Sequence, residues 1–113
     1  MNLVKAYRAI FWLLLAVVGL LSIISLESPP QIFSWQDKLH HMLAYSVLFW
    51  FLLGAYIKQY RLWVLAISLA IFSGLVEVAQ SYTGYRQADL MDLLANCMGI
   101  LLVTLWYFLR GRA

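Results

Sequence analysis

The chain has 113 residues and a mass of 13.0 kDa, room for one compact unit on a prior of about 100–200 residues per domain. Apolar residues make up 65% of it and charged residues 12%, against about 45–50% and about 25% in globular domains. So small a body exposes too much of its area for so few charges to cover, which excludes a soluble enzyme, a disordered segment and a disulfide scaffold and leaves a membrane protein. The net charge of +3 and pI near 9.2 take their meaning from where the basic residues sit relative to the apolar runs, not from nucleic acid. The one cysteine, Cys97, permits no internal disulfide; in its apolar run it reads as a small buried hydrophobe.

Four charge-free stretches, 9–26, 42–57, 62–76 and 93–109, approach the roughly 20 apolar residues that a bilayer requires. Extended by aromatic and weakly polar flanks, they predict spans over about 6–26, 39–57, 62–81 and 91–109 of a single domain, 1–113. The fold class expected is an all-α integral membrane four-helix bundle. The first span follows Lys5 and Arg8 as a signal peptide would. Only Leu26-Glu27-Ser28-Pro29-Pro30 follows it, with no small-residue cleavage site, so it reads as an uncleaved helix. Pro29-Pro30 cannot continue it. The second span opens on Asp37, His41 and Tyr45, spaced i, i+4, i+8 along one stripe. A short connection around residues 58–60 then makes spans two and three an antiparallel hairpin. The third span ends on Ser73, Glu77 and Ser81 at the same spacing, with Gln80 beside Glu77. After a connection carrying Gly84 and Arg86, the fourth begins with Asp89, Asp92, Asn96 and Gly99, one face of a helix.

The alternation of spans puts Lys5, Arg8, Lys58, Arg61, Arg110 and Arg112 on one side, and only Lys38 and Arg86 on the other. That asymmetry places both termini in the cytoplasm. All the acids, Glu27, Asp37, Glu77, Asp89 and Asp92, fall in the outer half. Tyr7, Tyr56, Tyr60, Trp63, Trp106 and Tyr107 form an inner interfacial belt, and Trp35, Tyr82 and Tyr85 an outer one.

Three helices thus carry polar stripes at the same depth. Unpaired charge near the centre of a membrane helix costs about 2.5–3.5 kcal/mol on insertion scales. Plainer roles exist for several of these residues. Asp37 and Asp89 can cap helices, and Asp92 can sit favourably in a first turn. Lys38 can snorkel to headgroups, and Arg86 can pair with Asp89 or a lipid phosphate. Asn96 and Gln80 can hydrogen-bond between helices, and Gly74 and Gly99 can permit close packing. Glu77, after a long uncharged run, needs a partner among Arg86, His41 and Lys38. His41 shares a face with Asp37, an imidazole–carboxylate arrangement that suits proton transfer. His40, about 100° round the helix, reads as a peripheral neighbour.

Asp37-Lys38-x-x-His41-x-x-x-Tyr45, then Glu77-x-x-Gln80, then Arg86-x-x-Asp89-x-x-Asp92-x-x-x-Asn96-x-x-Gly99 resembles the VanZ-like family. These are small bacterial membrane proteins named after an accessory factor in teicoplanin resistance. The likeness runs from about residue 37 to residue 99. The family's frequent second glycine, four residues after the first, is Val103 here, a departure that touches packing more than chemistry. The resemblance implies a polytopic protein of the cell envelope and supplies no defined reaction.

The leading expectation is an outer-leaflet site that binds or processes a lipid-linked envelope molecule, a glycan or phosphate-bearing lipid. In its enzymatic form His41, oriented by Asp37, is general base or acid, with Glu77 and Asp92 as carboxylates. Lys38 and Arg86 hold phosphate, and Tyr45, Gln80, Asp89 and Asn96 complete the binding set. No metal-ligand spacing motif appears, so neither metal nor other cofactor is expected. No nucleotide loop, zinc signature or Ser–His–Asp motif is present in the sequence. The bilayer and an envelope lipid are the expected partners, nucleic acid is not, and a homo-oligomer stays open. A non-catalytic membrane binding module is the alternative, in which the same residues weld the helices together. A small dimeric transporter is a third, disfavoured because Glu77 lies away from the midplane.

Overall fold

The computed structural model describes residues 2–23, 35–82 and 90–111, which form four helices: α1 (Leu3–Ile23), α2 (Gln36–Tyr56), α3 (Leu62–Ser81) and α4 (Leu90–Gly111). They are 20 to 22 residues long, about 30–33 Å at 1.5 Å per residue, which is the thickness of a bilayer's hydrocarbon core. All four are apolar enough to cross a membrane. The molecule measures 43 × 27 × 23 Å, its long axis close to the roughly 40–45 Å of a bilayer with its headgroup layers.

The first helix takes in Lys5 and Arg8, and the last takes in Arg110. The charge-free stretch measures hydrocarbon depth, whereas lysine and arginine are good helix formers whose stems reach the interface. Asn2 Oδ1 accepts from the Lys5 backbone N–H at 2.8 Å and so closes the start of α1. Between α2 and α3 the backbone N–H groups of Gln59 and Tyr60 both donate to the Tyr56 carbonyl, at 2.9 and 3.0 Å. Arg61 is then extended and leads into α3.

Helices α2 and α3, joined by the short turn, touch lightly, whereas α2 packs most closely on α4 and next on α1. Helix α3 leans on all three others more lightly, and α1 and α4 do not meet among the described residues. Two glycines explain the tight seams. A Cβ at Gly99 would run into the Met42 carbonyl oxygen and come within 3.0 Å of Ser46, and one at Gly54 would strike the Tyr7 ring. Gly74 of α3 has nothing within 4 Å of that position. The expectation of close approach at Gly74 is therefore corrected: its face points away from the neighbouring helices.

The core follows helical periodicity. On α2 the buried residues are Tyr45, Leu48, Phe49, Leu52 and Leu53, and around them gather Phe11, Leu65, Leu69, Ile100 and Val103. Val103, where the family pattern often has glycine, fills part of this core at 8% exposure. Along α3 one inward stripe begins as Leu65 and Leu69 and continues as Ser73, Glu77 and Gln80. On α4 the order is Asn96, then Gly99, Ile100 and Val103. Because helices consecutive in the chain run antiparallel, the polar halves of these stripes meet at one end of the bundle. The apolar outer faces, with Leu13, Ile71, Leu75 and Leu105 exposed, suit lipid rather than water.

The other end is basic and aromatic. Arg8 Nε donates to the Ala55 carbonyl in the last turn of α2 at 3.1 Å, and its guanidinium carbon lies 4.6 Å from the centre of the Tyr56 ring. Trp12 Nε1 donates to the Tyr56 hydroxyl at 2.9 Å, and Arg110 stands over Trp106.

Candidate functional site

Helix starts position the acidic groups. Trp35 is the N-cap residue of α2 and makes no side-chain cap hydrogen bond, so Asp37 lies within the first turn and does not cap the helix. Asp92 sits likewise in the first turn of α4. There the positive end of the helix dipole favours a carboxylate.

Across the α2–α4 seam, Lys38 Nζ donates to Asp92 Oδ1 at 2.6 Å, while Asp37 Oδ2 lies 3.9 Å from the same ammonium. Lys38 is thus drawn inward to carboxylates rather than outward to headgroups. The Asp92 side chain is 13% exposed and that of Asp37 55%. His41 stands next in line, its Nε2 3.7 Å from Asp92 Oδ2 and its Nδ1 3.1 Å from Asn96 Oδ1. Asn96 in turn donates through Nδ2 to Ser73 Oγ of α3 at 3.1 Å. Among the described residues no buried side-chain nitrogen or oxygen lacks a partner. A single polar chain therefore joins α2, α3 and α4 through Asn96.

Beside it lies a cavity of about 230 Å³. Asp37, His40, His41, Ala44 and Tyr45 of α2 form one wall, with Val76 and Glu77 of α3, Val18, Leu21 and Ser22 of α1, and Asn96 of α4 around them. Glu77 is 6% exposed and hydrogen-bonded or paired within the protein. Gln80, 2% exposed, donates to the Ser22 carbonyl at 2.8 Å and ties α3 to α1. A family model described as VanZ/LLP1 matches residues 20–111.

The chain belongs to the VanZ/LLP1 family. No curated protein and no solved structure matches it.

The VanZ/LLP1 match takes in every residue of the polar cluster and leaves most of α1 outside. Of the residues that sequence reasoning put forward, Asp37, Lys38, His41, Tyr45, Glu77, Asp92 and Asn96 gather at this one end of the bundle. Lys38 and Asp92 pair outside the cavity lining, and Gln80 lies in the α1–α3 seam. Arg86 and Asp89 lie outside the described residues. The carboxylate closest to the imidazole is Asp92 of another helix; Asp37, one turn earlier on α2, completes the group from the side.

Two contributors escape the sequence argument. His40 lines the cavity after all. The 100° step separates it from His41 alone, whereas Asp37, His40, His41, Ala44 and Tyr45 recur at i, i+3, i+4, i+7, i+8, the ordinary stripe of one helical face. The second is Ser22 and its helix. Nothing polar in α1 stands out, because the group that it supplies to Gln80 is a backbone carbonyl.

Chemically, the cluster offers carboxylate and amide oxygens to hydroxyl or amine hydrogens. It also holds an imidazole with one nitrogen anchored and the other turned to acid groups.

Proposed function

We propose that this VanZ/LLP1 protein lies in the bacterial cytoplasmic membrane with both termini in the cytoplasm. At the opposite face its polar cavity binds or processes a lipid-linked envelope molecule, a glycan- or phosphate-bearing lipid. The observation that carries this reading is the mixed lining of the cavity, where buried Glu77 and the His40–His41 pair share the wall with apolar Val18, Leu21 and Val76. Such a wall suits an amphiphile. A volume of about 230 Å³ falls below the roughly 300–1,000 Å³ of pockets that enclose whole ligands. It fits part of a headgroup whose tail stays in the bilayer. Carboxylates accept hydrogen bonds from sugar hydroxyls, His41 and Glu77 handle a proton, and Lys38 and Arg86 supply charge for phosphate. Family membership supports a link to the envelope and to glycopeptide resistance.

The polar chain through Asn96 and the Gln80–Ser22 bond favour a second reading, a binding module in which the same residues weld the four helices. Mass spectrometry of envelope lipids and wall precursors separates the two. Cells lacking the protein are complemented with wild type, His41→Ala or Glu77→Gln, and membrane levels are quantified alongside. The proposal expects a lipid species that shifts with wild type but not with well-inserted variants. Variants that insert normally and restore the wild-type lipid profile reject the site, and variants that fail to accumulate assign the cluster to the weld.

A further inference from the structure

Asp37, His41 and Asp92 each turn a donor atom toward the others, and these atoms all lie within 4.8 Å of one another. An ion bound at about 2.0–2.2 Å to nitrogen and oxygen donors holds two tetrahedral ligands about 3.4 Å apart. His41 Nε2 and Asp92 Oδ2, at 3.7 Å, stand a few tenths of an ångström from that spacing. Asp37 and His41 are i, i+4 on one helix, so both side chains reach the same point beside α2.

The second observation concerns His41 itself. Asn96 donates its Nδ2 to Ser73, so its Oδ1 faces His41 Nδ1 and takes the ring N–H. Nε2 is the ring nitrogen directed at Asp92, 3.7 Å from its Oδ2, and a proton or a metal ion carried there satisfies both groups. An outer hydrogen bond that fixes the tautomer and aims the free nitrogen is how metal-binding histidines are held. The cavity provides the way in, since Asp37 and His41 both line it.

We propose that Asp37, His41 and Asp92 bind one divalent transition-metal cation of the Zn²⁺ or Mn²⁺ type, leaving a coordination position open toward the cavity. This deepens the reading under Proposed function and rests on it for the occupant of the open position, a phosphate or hydroxyl oxygen of the lipid headgroup; with the ion bound, His41 is a ligand and the proton falls to Glu77. Mixed imidazole and carboxylate donors suit these ions better than an all-oxygen cation. Three protein ligands with one position free is the arrangement of sites that take substrate. Lys38 gives the site its control. Its ammonium lies against both carboxylates and competes for them. Ion binding frees it for an anionic headgroup, which could otherwise not approach Asp37.

The test is titration calorimetry of tag-free full-length protein in detergent with Zn²⁺ and with Mn²⁺, with thermal unfolding followed by tryptophan fluorescence. One ion per chain is expected, with a raised melting temperature. Asp92→Asn and His41→Gln should weaken binding by about 10–100-fold or more, the scale reported even for outer-shell changes. Lys38→Gln should tighten it by about tenfold, the scale of one charge in a partly solvated site. A cluster that only welds helices does not gain affinity when its lysine is removed. Absence of saturable binding to the wild-type chain overturns the proposal. So does binding that survives in folded Asp92→Asn and His41→Gln. Because the ion is the readout, failure here leaves the lipid reading standing. Conversely, ion binding with an unchanged lipid profile removes the lipid reading and keeps the ion.

Discussion

Asn96 holds three helices by two hydrogen bonds, one from each end of its amide, to His41 and to Ser73, both at 3.1 Å. It is 2% exposed, so no water replaces a lost partner. Asn96→Ala should destabilise the bundle by about 1–2 kcal/mol, between the modest worth of interhelical bonds in membranes and the cost of leaving buried polar groups unpaired. Unfolding in detergent, monitored by tryptophan fluorescence, measures this, and an unchanged midpoint would show that the network carries no strain-bearing role. The sequence makes these residues visible as stripes, because i, i+4 spacing puts Asp37 with His41 and Ser73 with Glu77 whatever the tertiary structure. It does not disclose partners across helices. His41 and Asn96 are 55 residues apart, and Lys38 and Asp92 are 54, so pairing depends on helix rotation. The polar pattern alone therefore favours Asp37 as the partner of His41 and leaves Lys38 for the headgroups.

At the level of the helices, two glycines separate packing from propensity. In Gly99→Ala the added methyl meets backbone atoms of α2 at Met42 and Ser46, which cannot give way as a side chain end would. The expected loss is about 1–3 kcal/mol, the usual cost of overpacking. Loosening of the α2–α4 seam should also spoil the Lys38–Asp92 and His41–Asn96 contacts. In Gly74→Ala the methyl enters open space and alanine is the better helix former, so the midpoint should stay equal or rise. Equal loss in both variants would contradict the seam as described. Helix number and type are legible because four long apolar stretches admit little else in a bilayer. Which helices pack closely is not, since both glycines look alike in the sequence. The difference is only which side of its helix each one faces.

For the whole molecule, the division of charge between the two ends decides which compartment the cavity serves. Arg8, Arg61 and Arg110 belong to one end, with Lys5 and Lys58, while the acid–histidine cluster and Lys38 belong to the other. Basic residues resist translocation, so the first end is expected in the cytoplasm and the cavity outside. Gln59 and Tyr82 are both exposed, just beyond opposite ends of α3, and therefore report the two sides. With Cys97 replaced by Ala, Tyr82→Cys should react with a membrane-impermeant maleimide in intact cells stripped of outer layers, and Gln59→Cys only after permeabilisation. Neither position belongs to the polar cluster, so labelling reads orientation without disturbing the site. The reverse pattern would put Asp37, His41 and Glu77 in contact with the cytoplasm. An envelope lipid could then be met only before its export, and a divalent ion would have to come from the cell's buffered pool. Comparable labelling at both positions would mean insertion in both orientations, which four helices can tolerate only if the charge asymmetry between the ends has little force. The excess of basic residues at one end makes that the least favourable outcome energetically, and it is the one that would reopen a dimeric transporter with opposed copies.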